Sequence, residues 1–195
     1  MSNDKTKANK TTPGDPQWDP TMPDVRIGFA AAPFTCLLGV LQRVLDTRLL
    51  WHTWLSYPDR LWGGRWLANA DAHGVRVLPR SAMPLLGEPH VEYRCRFDIS
   101  QGLARCRDFV GRPYDYVSLL VGHPIKLLAY YLTGADVLNP ARDASRFTCS
   151  EFVATVLKAA ELPGTEHMDP ESETPASLMH YMDSHPELFE RIVEG

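Results

Sequence analysis

Residues 147–164 read Phe-Thr-Cys-Ser-Glu-Phe-Val-Ala-Thr-Val-Leu-Lys-Ala-Ala-Glu-Leu-Pro-Gly. Thr148 stands three residues before Glu151, the spacing at which a hydroxyl and a carboxylate each bond a free N–H at a helix start. Phe152, Val153, Val156, Leu157 and Ala160 then recur at helical spacing, and Pro163-Gly164 provides the stop. The pattern predicts a helix over Cys149–Leu162 with Cys149 at its first position. There the unpaired N–H groups and the positive end of the helix dipole favour an anion, which selects thiolate over thiol. Cys149 shares the apolar face, so its sulfur is aimed at whatever the helix packs on. The competing reading is a buried cysteine that merely opens a helix.

Upstream of this helix the chain is rich in strand signals. Asp24–Phe29 alternates apolar and polar, and Leu49–Tyr57 is dense in aromatic and branched residues before the Pro58-Asp59 turn. Gly64–Ala70 and Gly74–Leu78 flank a polar turn at Asp71-Ala72-His73, and His90–Phe97 places Val91, Tyr93, Cys95 and Phe97 on one face. An antiparallel meander of about four strands is expected. Phe34–Leu45 carries an amphipathic helical stripe, Gln101–Val110 reads as a helix, and a last helix is expected near Ala176–Met182. Val117–Leu132 is apolar, interrupted at Gly122-His123-Pro124.

With 195 residues, 44% of them hydrophobic, the chain has material for one substantial core and little room for two ordinary domains. A single domain over 25–195 is expected, preceded by a disordered arm over 1–24 that is rich in Lys, Asn, Thr, Pro and Asp. The arm has no apolar segment of the secretory type, so a cytoplasmic or phage-associated location is expected. No apolar run has the length of a membrane span. The net charge of −4 lacks the basic field of a nucleic-acid binder. Cys36, Cys95, Cys106 and Cys149 form neither a C-x-x-C pair nor a zinc-type cluster, so reduced thiols are expected and neither a metal nor a cofactor is called for.

Two short elements together resemble a known signature. Gly111-x-Pro113-Tyr114, followed by Phe147-x-Cys149-Ser150-x-Phe152-Val153, is similar to the G-x-P-Y and F-x-C-S elements of NlpC-type cysteine peptidases. In the usual order of that family the histidine strand follows the cysteine helix, whereas here the strands precede it. The chain therefore resembles the circularly permuted, YiiX-type branch of the papain-like superfamily, which is related to lecithin:retinol acyltransferase. The likeness extends over Asp24–Leu178 and includes Leu50-Trp51-His52-Thr53-Trp54, Gly74-Val75 before Pro79, and Thr174-Pro175-Ala176. It implies an α+β, permuted papain-like fold with a small antiparallel sheet packed against the nucleophile helix. Trp51 departs from the pattern, standing where a small polar residue is common.

A thiolate nucleophile needs a base that accepts its proton and later protonates the leaving group, which is imidazole chemistry near neutral pH. The resemblance points to His52; His73 is an alternative, and His167 or His180 would serve were the order not permuted. His90, His123 and His185 read as surface residues. Asn69, on the strand next to that of His52, is the choice for the group that orients the imidazole, with Asp71 as the alternative. The resemblance implies that Tyr114 aims its hydroxyl at a developing oxyanion beside the Cys149 N–H.

The expected function is a cysteine hydrolase, a peptidase or amidase of bacterial or phage origin that acts on an amide bond, with cell-wall peptides as the first substrate class. Two alternatives stand beside it. One is a binding or structural module that keeps the fold with an impaired site. The other is an acyltransferase or thioesterase acting on lipid acyl groups, for which an exposed basic or amphipathic helix is expected; Gly102–Val110, with Arg105 and Arg107, is the candidate. Oligomeric state is left open.

Overall fold

In a computed structural model, described over residues 24–31, 50–58, 64–82, 90–122 and 145–194 and at isolated positions between 122 and 145, helices and one antiparallel sheet make an α+β fold. The strands are β1 (Arg26–Ala31), β2 (Leu50–Pro58), β3 (Arg65–Asp71), β4 (Gly74–Pro79), β5 (Val91–Cys95) and β6 (Phe189–Glu194). The longer helices are α1 (Ser100–Phe109), α2 (Cys149–Ala159) and α3 (Pro175–Ser184). The arm over residues 1–23, the stripe at Phe34–Leu45 and Cys36 lie outside the described residues.

The sheet runs β4-β3-β2-β1-β5-β6, every neighbour antiparallel. Strand alternation sends Ile27, Phe29, Leu55, Ala68, Ala70, Val91 and Tyr93 into one buried cluster with Phe152, Val153, Val156 and Leu157 of α2. Each such large side chain, fully buried, contributes about 1.5–3 kcal/mol before entropy is counted. The match between the apolar face of α2 and the period-two pattern of β1–β3 therefore fixes where the start of the helix lies. α1 packs on α2 at close range, because a Cβ on Gly102 would stand 2.1 Å from the Val156 carbonyl oxygen. The opposite face of the sheet holds a smaller cluster of Ala30, Trp54 and Leu67.

Two departures from expectation concern the sheet. The strand at His90–Phe97 is not the end of a meander: β5 pairs with β1, Ile27 opposite Tyr93, and not with β4. The interval from Arg80 to His90 exceeds the roughly two to five residues of a hairpin loop, so the chain is free to cross to the far edge. The second departure is β6, which pairs with β5 and places Phe189 opposite Cys95. Its sequence, Phe-Glu-Arg-Ile-Val-Glu, lacks a clean alternation, and only the β-branched pair Ile192-Val193 signals a strand. Among the described residues the sheet is thus larger than the meander expected, six strands in place of about four.

Helix α2 also stops earlier than expected. Ala160 is its C-cap and Glu161 takes a left-handed φ of 54°, ahead of Pro163-Gly164. Helix α1 and α3 lie within two residues of their expected bounds.

Candidate active site

The start of α2 has the geometry that its sequence calls for. Thr148 is the N-cap: its Oγ1 accepts from the Glu151 N–H at 3.3 Å, and the Thr148 N–H donates to Glu151 Oε2 at 3.2 Å. Cys149 opens the helix and is 4% exposed. The Gly111–Tyr114 segment lies directly against this start. Tyr114 and Phe147 form a parallel bridge, with Phe147 N–H donating to Pro113 O at 3.1 Å and Asp115 N–H to Phe147 O at 3.0 Å. On its other side the segment joins β4, through Val75 N–H to Arg112 O at 2.8 Å and Gly111 N–H to Val75 O at 2.9 Å. Gly74 permits that approach: its φ is +90°, and a Cβ there would stand 2.4 Å from Arg112 O. Buried Asp115 accepts the Ser118 N–H at 2.8 Å and so fixes the turn that follows.

His52 lies near the start of β2, opposite Ala30, where the ladder register shifts. Such irregularities re-aim side chains and are common beside active sites. The imidazole is buried, and its Nε2 lies 2.7 Å from Asn69 Oδ1 on the neighbouring strand. An amide oxygen only accepts, so the Nε2 proton belongs to this bond and Nδ1 is left for the sulfur. His52 and the Cys149 thiol are hydrogen-bonded to each other.

Asn69 is itself oriented. Its Nδ2 donates to Asp71 Oδ2 at 3.1 Å, which fixes the end of the amide that faces His52. Asp71 is held by the His73 N–H at 2.8 Å and by an ion pair with Arg76. Asn69 and Asp71 are therefore successive members of one chain, not rivals for one place: Cys149, His52, Asn69, Asp71, Arg76. The sequence reading missed Arg76. The tight turn at Ala72-His73 was the available signal, because it sets Asn69 opposite Arg76 across the β3–β4 hairpin.

Electrostatics separates the three described cysteines. Burial, joined at Cys95 by the Asp24 charge, pushes the Cys95 and Cys106 thiols up to about 12. Burial opposes the Cys149 thiolate as well, but the His52 charge and hydrogen bond, with the N–H groups of Thr53 and Ser150, outweigh it and hold the thiol below its ordinary value. For His52 the signs mirror these: burial pushes the imidazolium down, and the sulfur charge and hydrogen bond raise it above the ordinary histidine value. The arrangement favours a thiolate–imidazolium pair.

Tyr114 completes the group. Its hydroxyl is hydrogen-bonded to the Cys149 side chain and to its backbone N–H; burial, then the adjacent sulfur charge, holds the phenol well above its ordinary range and therefore protonated. Other histidines stand elsewhere: His90, His167 and His180 are exposed, His73 lies in the exposed β3–β4 turn, and His185 stacks on Tyr181 with ring centroids 4.4 Å apart. His123 lies outside the described residues. Among the described residues no group of three or more His, Cys, Asp or Glu is arranged to hold a metal ion. No protein-family model matches the chain, and no curated protein matches its sequence.

Proposed function

We propose that the chain is a cysteine hydrolase of the permuted papain-like kind, cleaving an amide bond through Cys149 and His52. The observation that carries this reading is the double engagement of His52, which bonds the Cys149 thiol on one side and Asn69 Oδ1 at 2.7 Å on the other. A histidine that only filled the core would need one partner; one placed between a nucleophile and a fixed acceptor is built to move a proton. Further support comes from the contact between Gly111–Tyr114 and Phe147–Cys149, two distant segments that the resemblance pairs and the backbone joins at Tyr114 and Phe147.

The chemistry follows from these positions. The Cys149 thiolate attacks the carbonyl carbon, and the negative charge passes to the carbonyl oxygen, which receives the Tyr114 hydroxyl and the Cys149 N–H. The His52 imidazolium protonates the departing nitrogen, the C–N bond breaks and an acyl-thioester remains. Neutral His52 then takes a proton from water, whose oxygen attacks the thioester; the C–S bond breaks, the carboxylic acid is released, and the thiolate–imidazolium pair is restored. The cycle needs neither metal nor organic cofactor. Peptides, first among them cell-wall peptides of a bacterial host, are the substrate class we assign.

One observation favours a second reading, transfer or hydrolysis of lipid acyl groups. The large apolar side chains left exposed among the described residues all fall between Val110 and Leu132, beginning at the Tyr114 loop. The same acyl-thioester would then form from an ester or thioester. Hydrolysis of a panel of peptide amides and acyl esters by the full chain, by Cys149→Ala and by His52→Ala tests both readings. Activity should disappear in the first variant and fall by ~10²–10⁴-fold in the second, both remaining folded; full activity of Cys149→Ala would overturn the enzyme reading.

A further inference from the structure

Val117, Val121, Ile125, Leu128 and Leu132 are between 46% and 75% exposed. They recur at every third or fourth position, and the backbone is helical at Ser118–Gly122 and again at Ile125, Leu128, Ala129, Leu132 and Thr133, where Thr133 Oγ1 donates to Ala129 O at 2.8 Å. Val117 and Val121 in the first stretch, and Ile125, Leu128 and Leu132 in the second, recur at helical spacing, and all five face water. Elsewhere among the described residues no large hydrophobic side chain is exposed except Val110, Tyr116 and Leu120, which adjoin it. Concentrated apolar exposure of this kind marks an interaction surface.

Charge indicates what the surface meets. The chain has 24 acidic residues and a net charge of −4, yet between Asp115 and Asp136 no carboxylate occurs and Lys126 is the single formal charge. Helix α1, immediately upstream, adds exposed Arg107, and exposed Arg105 that pairs with Asp108 at 3.4 Å. An apolar stripe in a stretch free of carboxylates, and with tyrosines at 116, 130 and 131, has the make-up of a segment lying in a membrane–water interface. The stripe is also continuous with the site: the Tyr116 ring lies 5.0 Å from that of Tyr114, whose hydroxyl contacts Cys149. A second copy seated here would cover that edge of the site, whereas a lipid surface brings it to a supply of acyl chains. No helix among the described residues is long and apolar enough to cross a membrane.

We propose that the Val117–Leu132 stripe docks the protein on a lipid bilayer surface, apolar side chains entering the boundary between headgroups and acyl chains and the Cys149 end of α2 carried to the interface.

Flotation of the full chain with vesicles of phosphatidylcholine, alone or mixed with phosphatidylglycerol, tests this without any turnover. The chain should float with the vesicles, more so when anionic lipid is present. The double variant I125D/L128D should lose at least about tenfold in partitioning, because each side chain removed is worth about that factor in transfer from water. Its thermal transition and its Cys149 alkylation should be unchanged. Should it fold poorly, L128W in an otherwise unaltered chain gives a second readout, a blue shift of emission on adding vesicles. Cys149→Ala should float like the parent chain, so failure of the hydrolase reading and failure of docking are separable. A parent chain that stays unbound with both vesicle types, equal flotation of parent and double variant, or a concentration-dependent dimer that the double variant abolishes would each overturn the proposal, the last by assigning the stripe to a second copy.

Discussion

Two polar clusters are built across the same sheet, and they behave in opposite ways. In one, Asp24 receives Arg26 at 2.7 Å, Arg65 at 2.9 Å and Arg94 at 3.1 Å, while Arg26 also reaches the buried Glu92 at 3.1 Å. Every charge there is answered by another, and the group ties β1, β3 and β5 together. In the other, hydrogen bonds run in a line from Arg76 through Asp71, Asn69 and His52 to the sulfur of Cys149. That line ends on a nucleophile, not on a counter-charge. Both clusters move ionisation, since the arginines hold Asp24 at about 2 against its burial. A shifted pKa is therefore no mark of a site by itself. What distinguishes the second cluster is a proton acceptor, itself oriented, placed against a group that can attack.

The sharpest way to break that distinction is to measure thiol reactivity. Alkylation by iodoacetamide at neutral pH should modify Cys149 at least ~10³-fold faster than Cys95 or Cys106 in the folded chain, because thiols held at about 12 carry almost no thiolate there. The Cys149 rate should persist below the ordinary thiol range of about 8.5 and fall only as acid protonates the sulfur. In His52→Ala the opposing charge is gone and burial is left, so the titration should move upward, toward the range of the other two. Equal labelling of all three cysteines would make Cys149 another buried thiol.

Substitution further along the line should have graded effects. Asn69→Ala removes the acceptor that holds the His52 tautomer and should lower kcat by ~10²-fold, the scale expected of a misplaced catalytic group. Asp71→Asn leaves His52 its immediate partner but lets the Asn69 amide present either end; about a tenfold loss is expected, with the alkylation pH profile shifted upward. An unchanged profile in Asp71→Asn would mean that Asn69 is oriented by packing alone.

Much of this site was legible before any coordinates. The capping box at Thr148–Glu151 is local, and local patterns state their own geometry, so the placement of Cys149 followed from four residues. Asn69 could be put near His52 because two strands joined by a short link pair with each other. Asp71 looked like a competitor to Asn69 for a different reason: sequence gives the residues of a hairpin but not which atoms of an amide face which neighbour. The pairing of β5 with β1 and the existence of β6 were illegible because both are long-range choices. The loop before β5 sets no partner, and the Phe189–Glu194 pattern does not alternate. The apolar run at Val117–Leu132 was visible as composition, but composition cannot say whether such a run faces the core or water. Gly102–Val110, the candidate surface helix for an acyltransferase, keeps Arg105 and Arg107 exposed and buries Gly102 and Cys106, and the exposed apolar side chains lie downstream of it.

The smallest expected effect tests the other half of the contrast, in the cluster that ends on no nucleophile. Asp24 is only partly buried, so the loss of its ion pairs in Asp24→Asn is discounted for solvent screening to about 1 kcal/mol. For a chain of this size, that is a fall of about 2–4 °C in Tm. Because the arginines lower the Asp24 pKa from 3.8 to about 2, its contribution is complete above pH 3.8 and is lost as pH falls through about 2. Thermal melts of the parent chain should therefore decline across that window, and those of Asp24→Asn should decline less steeply. Alkylation of Cys149 should be the same in both, since the ion pairs of Asp24, with Arg26, Arg65 and Arg94, lie outside the line from Arg76 to Cys149. A change in Cys149 reactivity on Asp24→Asn would mean that the sheet couples them, and the division between a closed structural cluster and an open reactive one would fail.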